Sequence, residues 1–126
     1  MKRYLWGRVQ SFKHAFSGLF LVFQTQHNIF IHCLATICVL ILGLWLKLEQ
    51  VEWVLLFLTF STVWVTEFIN TALETAVDLS SPDFHPLAKK AKDIGAASVL
   101  VAAFFSIIIG VLILVPPLVN RITSIF

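Results

Sequence analysis

Three stretches of this chain, Ile29–Leu46, residues 51–69 and residues 96–115, run for the length of a bilayer crossing with hardly a charged side chain among them. About 20 mostly apolar residues suffice for a helix to span the hydrocarbon core. The chain has 126 residues, 59% of them hydrophobic and only 13% charged. A soluble domain this small cannot hide that much apolar surface, whereas a bilayer takes it up directly. The first stretch ends at the charged break Lys47-Leu48-Glu49-Gln50, and the third is expected to stop at Pro116-Pro117. Gly43, Gly95 and Gly110 suit close helix packing in such spans. The fold class that follows is all-α and membrane-embedded, with residues 1–126 forming a single domain.

Lysine and arginine placement gives an orientation. Lys2, Arg3, Arg8 and Lys13 precede the first span and Lys89, Lys90 and Lys92 lie between the second and third, whereas the other side holds Lys47 and Arg121. The N-terminus and the second loop are therefore expected on the cytoplasmic side. Residues 1–28 lack the unbroken apolar region and cleavage site of a signal peptide. Leu5, Val9, Phe12, Phe16, Leu19 and Phe23 instead recur at steps of four and three, the pattern of an amphipathic helix lying in the membrane interface. The net charge of +2, dispersed around the apolar stretches, gives no nucleic-acid footprint. Cys33 and Cys38, five apart in an apolar helix, point in different directions and read as packing or lipid-facing residues.

The segment Thr66–Asp78 carries the chemistry. At about 100° per residue, Glu67, Asn70, Thr71, Glu74 and Asp78 fall on one stripe, while Phe68, Ile69, Leu73 and Val77 face elsewhere. Carboxylates at membrane depth are expensive and usually functional. Three on one face repel, and a hard divalent cation such as Mg²⁺ relieves that repulsion through carboxylate and amide oxygens. Asn70 and Glu74 can supply such ligands, and Glu67, deeper, can accept a proton from a hydroxyl. A purely structural alternative stands beside this one, with Glu67 and Asn70 clamping neighbouring helices by hydrogen bonds. Beyond the stripe, Ser80-Ser81-Pro82-Asp83 predicts a turn with Pro82 opening a short helix. Lys92 and Asp93 then fall at the depth of the stripe, where a lysine can neutralise phosphate charge. A Gly-rich phosphate loop and a zinc-spaced His/Cys cluster are both missing from the sequence, and His14, His27, His32 and His85 read as interfacial polar residues.

The string Glu67-x-x-Asn70-Thr71-Ala72-x-Glu74-x-x-Val77-Asp78, followed by Ala88-Lys89-x-Ala91-Lys92-Asp93-x-x-Ala96-Ala97, resembles the prokaryotic diacylglycerol kinase and undecaprenol kinase family. The likeness covers essentially the whole chain. It implies a multi-pass protein of the bacterial inner membrane, a homotrimer with composite active sites at the cytoplasmic surface, and ATP-dependent phosphorylation of a lipid alcohol with Mg²⁺. By the same resemblance Glu67 is the catalytic base, and Asn70 and Glu74 belong to the metal and phosphate site. Lys92 and Asp93 contact nucleotide, with Asp78 at the end of the stripe. The family's glutamate that shares metal binding with the residue matching Glu74 is replaced here by Gln26, which keeps an oxygen ligand and loses the charge. That departure leaves room for a lipid-binding relative without kinase activity. Phe84-His85-Pro86-Leu87-Ala88-Lys89 resembles the undecaprenol branch, with diacylglycerol as the alternative lipid.

Overall fold

Apolar runs uninterrupted by breakers fold as helices, because a helix pairs its own backbone groups where no water is available to do so. The computed structural model describes residues 2–124, with side chains from Trp6 onward. It contains α1 (Lys2–Thr25), α2 (Asn28–Leu46), α3 (Gln50–Ser80) and α4 (Pro86–Thr123). The last three are long and apolar enough to cross a membrane. The side chains of Lys2, Arg3 and Leu5, used above for the orientation and the amphipathic stripe, lie outside the described residues.

α2 ends in a tight reversal. Lys47 adopts a left-handed conformation at φ 57°, and the backbone N–H groups of Lys47 and Leu48 donate to the carbonyls of Leu44 and Gly43. These bonds satisfy carbonyls the helix end leaves open. α3 starts at once with a capping box, in which Glu52 accepts the Glu49 backbone N–H at 2.7 Å and Glu49 accepts that of Glu52. The chain can turn this sharply because Gly43 lets Trp53 in: a Cβ there would meet the indole at 2.8 Å. Leu48, Leu56, Ile113 and Leu114 form a small core at this end of the bundle, flanked by Trp53 and Phe60.

At about 1.5 Å per residue, α2 just spans a hydrocarbon core, whereas the 31 residues of α3 and the 38 of α4 exceed it. The C-terminal part of α3 and the N-terminal part of α4 therefore form one hairpin closed by residues 81–85, at the end of the bundle where α1 joins α2. α3 packs chiefly against α4. Two sequence expectations are corrected here. α4 opens at Pro86, not Pro82, because His85 caps it: its imidazole Nδ1 accepts the Leu87 backbone N–H at 3.2 Å. It then continues through Pro116-Pro117 to Thr123, since prolines remove only their own N–H donors and the flanking turns of an apolar helix hold the rest.

The apolar stripe of α1 does not turn toward the bundle. Val9, Phe12 and Phe16 are each about two-thirds exposed, and the tightest contact lies at the helix end, where Val22 is buried and Phe23 lies on Trp64 at 5.9 Å between ring centroids. Large apolar side chains cover the outer faces of α2, α3 and α4 as well, a surface made for lipid or for other apolar helices. Cys33 and Cys38 are free thiols.

Candidate active site

The polar stripe read from the sequence is one continuous face of α3, graded from buried to open. Glu67 is 1% exposed, Asn70 and Thr71 are buried, Glu74 is half-buried and Asp78 is exposed. Ile69 points away toward the surroundings, while Leu73 is partly exposed beside Gly95 of α4. From Glu67 to Asp78 the face rises by about 16 Å along the helix axis.

Glu67 sits at the closed end. One oxygen of its carboxylate, Oε2, is buried without a hydrogen-bond partner. Across from it, on α2, the imidazole Nε2 of His32 is also buried and unpartnered, 3.9 Å away. This corrects the reading of His32 as an interfacial residue. A weak hydrogen-bond relay sets the register between the two helices: Trp64 Nε1 donates to Thr36 Oγ1 at 3.4 Å, and that hydroxyl donates to the His32 carbonyl at 2.7 Å. Thr71 Oγ1 donates to the Glu67 carbonyl, so its hydroxyl is used locally.

One turn further along, Asn70 Nδ2 donates to Glu74 Oε1 at 3.2 Å. Its Oδ1 is buried and unpartnered, and lies against Gly95 of α4. A Cβ at Gly95 would collide with Asn70 Oδ1 and would meet Leu73 Cδ2 at 2.9 Å. Gly95 thus seats Asn70 against α4. Gly95→Ala is expected to lose about 1–3 kcal/mol of stability through overpacking, read in a thermal or denaturant titration; wild-type stability in that variant would contradict the contact.

At the open end, Lys92 of α4 donates to both carboxylate oxygens of Asp78, at 2.8 and 3.1 Å. Asp93 instead accepts from Lys89 at 2.7 Å, one turn back on the same helix. Both pairs are solvent-exposed, so they add little to stability and can exchange partners when a polyanion arrives. A cleft of about 450 Å³ lies between them, lined by Asp78, Phe84, His85, Lys89, Lys92 and Asp93 among others. A second, apolar groove of about 620 Å³ runs between α1 and α3, bounded by Gly18, Leu19, Val22, Phe68, Thr71 and Ala72 among others.

The donor chemistry of the middle of the stripe fits a hard divalent cation. Asn70 has an amide oxygen without a partner and Glu74 a half-buried carboxylate one turn on. Among the described residues no three His, Cys, Asp or Glu side chains converge on a metal cage. Two oxygen donors suit Mg²⁺, which keeps most of its shell for phosphate oxygens and water. Gln26 stands at the elbow between α1 and α2, half-buried, its backbone N–H donating to the Val22 carbonyl. Among the described residues no hydrogen bond joins its side chain to Glu74. The structure thus brings together Glu67, Asn70 and Glu74 on one face and Asp78 with Lys92 across two helices, while Gln26 stands at the junction of α1 and α2.

Two functional contacts escaped the sequence. His32 was reachable only roughly, since counting outward from the Lys47–Glu49 turn brings it to within about one helical turn of the depth of Glu67. Gly95 was marked only as a packing glycine, without its partner.

Comparison with known proteins places these residues in a family. A family model described as prokaryotic diacylglycerol kinase matches residues 13–114. Undecaprenol kinase of Bacillus subtilis is 42% identical over 109 residues, 86% of this chain and 89% of that protein. A diacylglycerol kinase of Synechocystis is 40% identical over 87% of this chain and 63% of its own length. The diacylglycerol kinase of Escherichia coli K12 is 32% identical over 59% of this chain and 61% of its own.

Proposed function

The chain belongs to the prokaryotic diacylglycerol kinase family and is a lipid kinase, and from that premise we propose that it transfers the γ-phosphate of ATP to the hydroxyl of undecaprenol. The observation that carries the mechanism is the graded stripe of α3, with a buried, unpartnered carboxylate at its closed end and an exposed mouth where Lys89 and Lys92 sit in exchangeable pairs with Asp93 and Asp78. Such a gradient suits two substrates that meet from opposite sides, one apolar and one polyanionic.

In this reading Lys92 leaves Asp78 to face phosphate oxygens, with Asp93 beside it on the nucleotide. Asn70 and Glu74 hold the cation that accompanies the nucleotide. A Mg²⁺ ion held by these two residues would neutralise charge on the transferring phosphate. The lipid hydroxyl arrives at Glu67, which takes its proton as the oxygen bonds to the γ-phosphorus. The bond from that phosphorus to the oxygen bridging it to the β-phosphate breaks in line, and ADP leaves. The helical rise between Glu67 and Asp78 gives each group its own section of one track. Gln26 is a tolerated replacement at the edge of the metal site, which keeps an oxygen donor at lower charge.

The lipid assignment rests on similarity to the Bacillus undecaprenol kinase over nearly the whole of both chains and on the Phe84–Lys89 loop. Diacylglycerol is the second reading, favoured by the relatives of that name. The same proposal places the protein in the bacterial inner membrane as a homotrimer, with its N-terminus and the 81–85 loop cytoplasmic; the lysine and arginine distribution supports that orientation.

Phosphate transfer from labelled ATP with Mg²⁺, with undecaprenol and diacylglycerol offered in parallel to detergent-solubilised protein, tests the proposal. Undecaprenyl phosphate is the expected dominant product. A preference for diacylglycerol would keep the mechanism and overturn the lipid assignment; folded protein that labels neither would overturn both.

A further inference from the structure

The two buried, unpartnered polar atoms facing each other across α2 and α3 belong to different helices and carry complementary chemistry. His32 Nε2 can donate a hydrogen bond and Glu67 Oε2 accepts one. At 3.9 Å they are too far apart to bond each other, and since both are closed to solvent, a small parting of the two side chains is what brings a single oxygen within hydrogen-bond reach of both. Buried polar groups left without partners are rare and costly, and two of them facing each other point to a third group that binds between them. The two helices are held on either side of the pair: Ile29, wholly buried, lies one turn before His32 on α2, and Trp64, in contact with Phe23 and Thr36, lies one turn before Glu67 on α3.

We infer that His32 is the hydrogen-bond donor that receives the acceptor hydroxyl, so that His32 and Glu67 together form a notch for one alcohol group. This inference rests on the proposed lipid kinase mechanism with Glu67 as base. The imidazole, neutral with its proton on Nε2, donates to a lone pair of the lipid oxygen. The hydroxyl hydrogen is thereby turned toward Glu67 Oε2, and a second lone pair is left for the γ-phosphorus. The His32 proton stays on the imidazole throughout. The proton that leaves the alcohol goes to Glu67, and the O–P bond forms as the bond to the departing ADP breaks. The Thr36–Trp64 relay, which ends on the carbonyl of His32, holds the notch at its width. One donor and one acceptor satisfy a lone primary hydroxyl at the end of a hydrocarbon chain.

The test compares the full-length protein with His32→Phe, which keeps ring volume and removes the donor, and His32→Gln, whose amide can donate from nearly the same place. Steady-state kinetics are measured against the lipid and against ATP, with thermal stability alongside. His32→Phe is expected to lower kcat/KM for the lipid about ten- to a hundredfold, with the KM for ATP within about twofold of wild type, and His32→Gln to recover most of the loss. Wild-type lipid kinetics in His32→Phe would overturn the inference. Equal losses in both variants, or a loss shared by the KM for ATP and by thermal stability, would overturn it too, since a packing role behaves that way. If His32→Phe does not fold, His32→Leu takes its place under the same criteria. Failure of the underlying mechanism shows separately, as wild-type protein that phosphorylates no lipid.

Discussion

Glu67→Gln is expected to reduce lipid phosphorylation by two to four orders of magnitude, the range that removal of a positioned general base produces, without loss of stability. The second half of that expectation is the more discriminating. Glu67 is 1% exposed and its Oε2 has no hydrogen-bond partner, so the folded protein bears the cost of desolvating this group. A neutral amide of the same shape costs less to bury, and the variant should unfold at the wild-type temperature or above it. Residues retained for activity at the expense of stability show this opposition. A helix clamp, the structural alternative for Glu67 and Asn70, predicts the reverse: stability lost and chemistry affected only as a consequence. Lipid phosphorylation, nucleotide binding and thermal unfolding on one preparation separate the two. Full turnover in Glu67→Gln would remove Glu67 from the mechanism.

What the sequence disclosed and what it withheld divide along one line. Features that belong to a single helix were legible. The three apolar runs gave α2 and the membrane-spanning parts of α3 and α4, and the 100° spacing gave the face shared by Glu67, Asn70, Thr71 and Glu74, which is the buried face of α3. Helix ends were less so. Pro82 and Pro86 are both acceptable first-turn prolines, and the choice fell to a side chain, the imidazole of His85. Pro116-Pro117 breaks helices in water, but in an apolar helix the surrounding turns keep their hydrogen bonds because the backbone has no solvent to turn to. Pairings between helices were the hardest. The depth of Lys92 beside the stripe was legible, whereas its pairing with Asp78, His32 opposite Glu67 and Gly95 against Asn70 depend on how α2 and α4 are rotated about their axes, which periodicity alone does not give. Gln26 shows the same limit from the other side. Matching it to a family position suggests metal binding, and from the α1–α2 elbow that role depends on how these two helices sit against α3.

Glu74→Gln is the complementary experiment, because it changes charge at the middle of the stripe and leaves the base alone. The substituted side chain keeps an oxygen to accept from Asn70 Nδ2, so the existing hydrogen bond and the fold should persist. What is lost is the negative charge that draws a hard cation to a site with only two protein oxygens. Turnover at a fixed, moderate Mg²⁺ concentration is expected to fall about a hundredfold, equivalent to about 2.7 kcal/mol. The Mg²⁺ concentration for half-maximal activity should rise, and excess Mg²⁺ should restore part of the rate. Glu67→Gln should show no such recovery, since a missing proton acceptor is not replaced by more cation. The contrast between the two variants therefore assigns proton transfer and cation binding to residues two turns apart on one helix. An unchanged Mg²⁺ dependence in Glu74→Gln would place the cation elsewhere on the stripe and leave Glu74 as the carboxylate that orients Asn70.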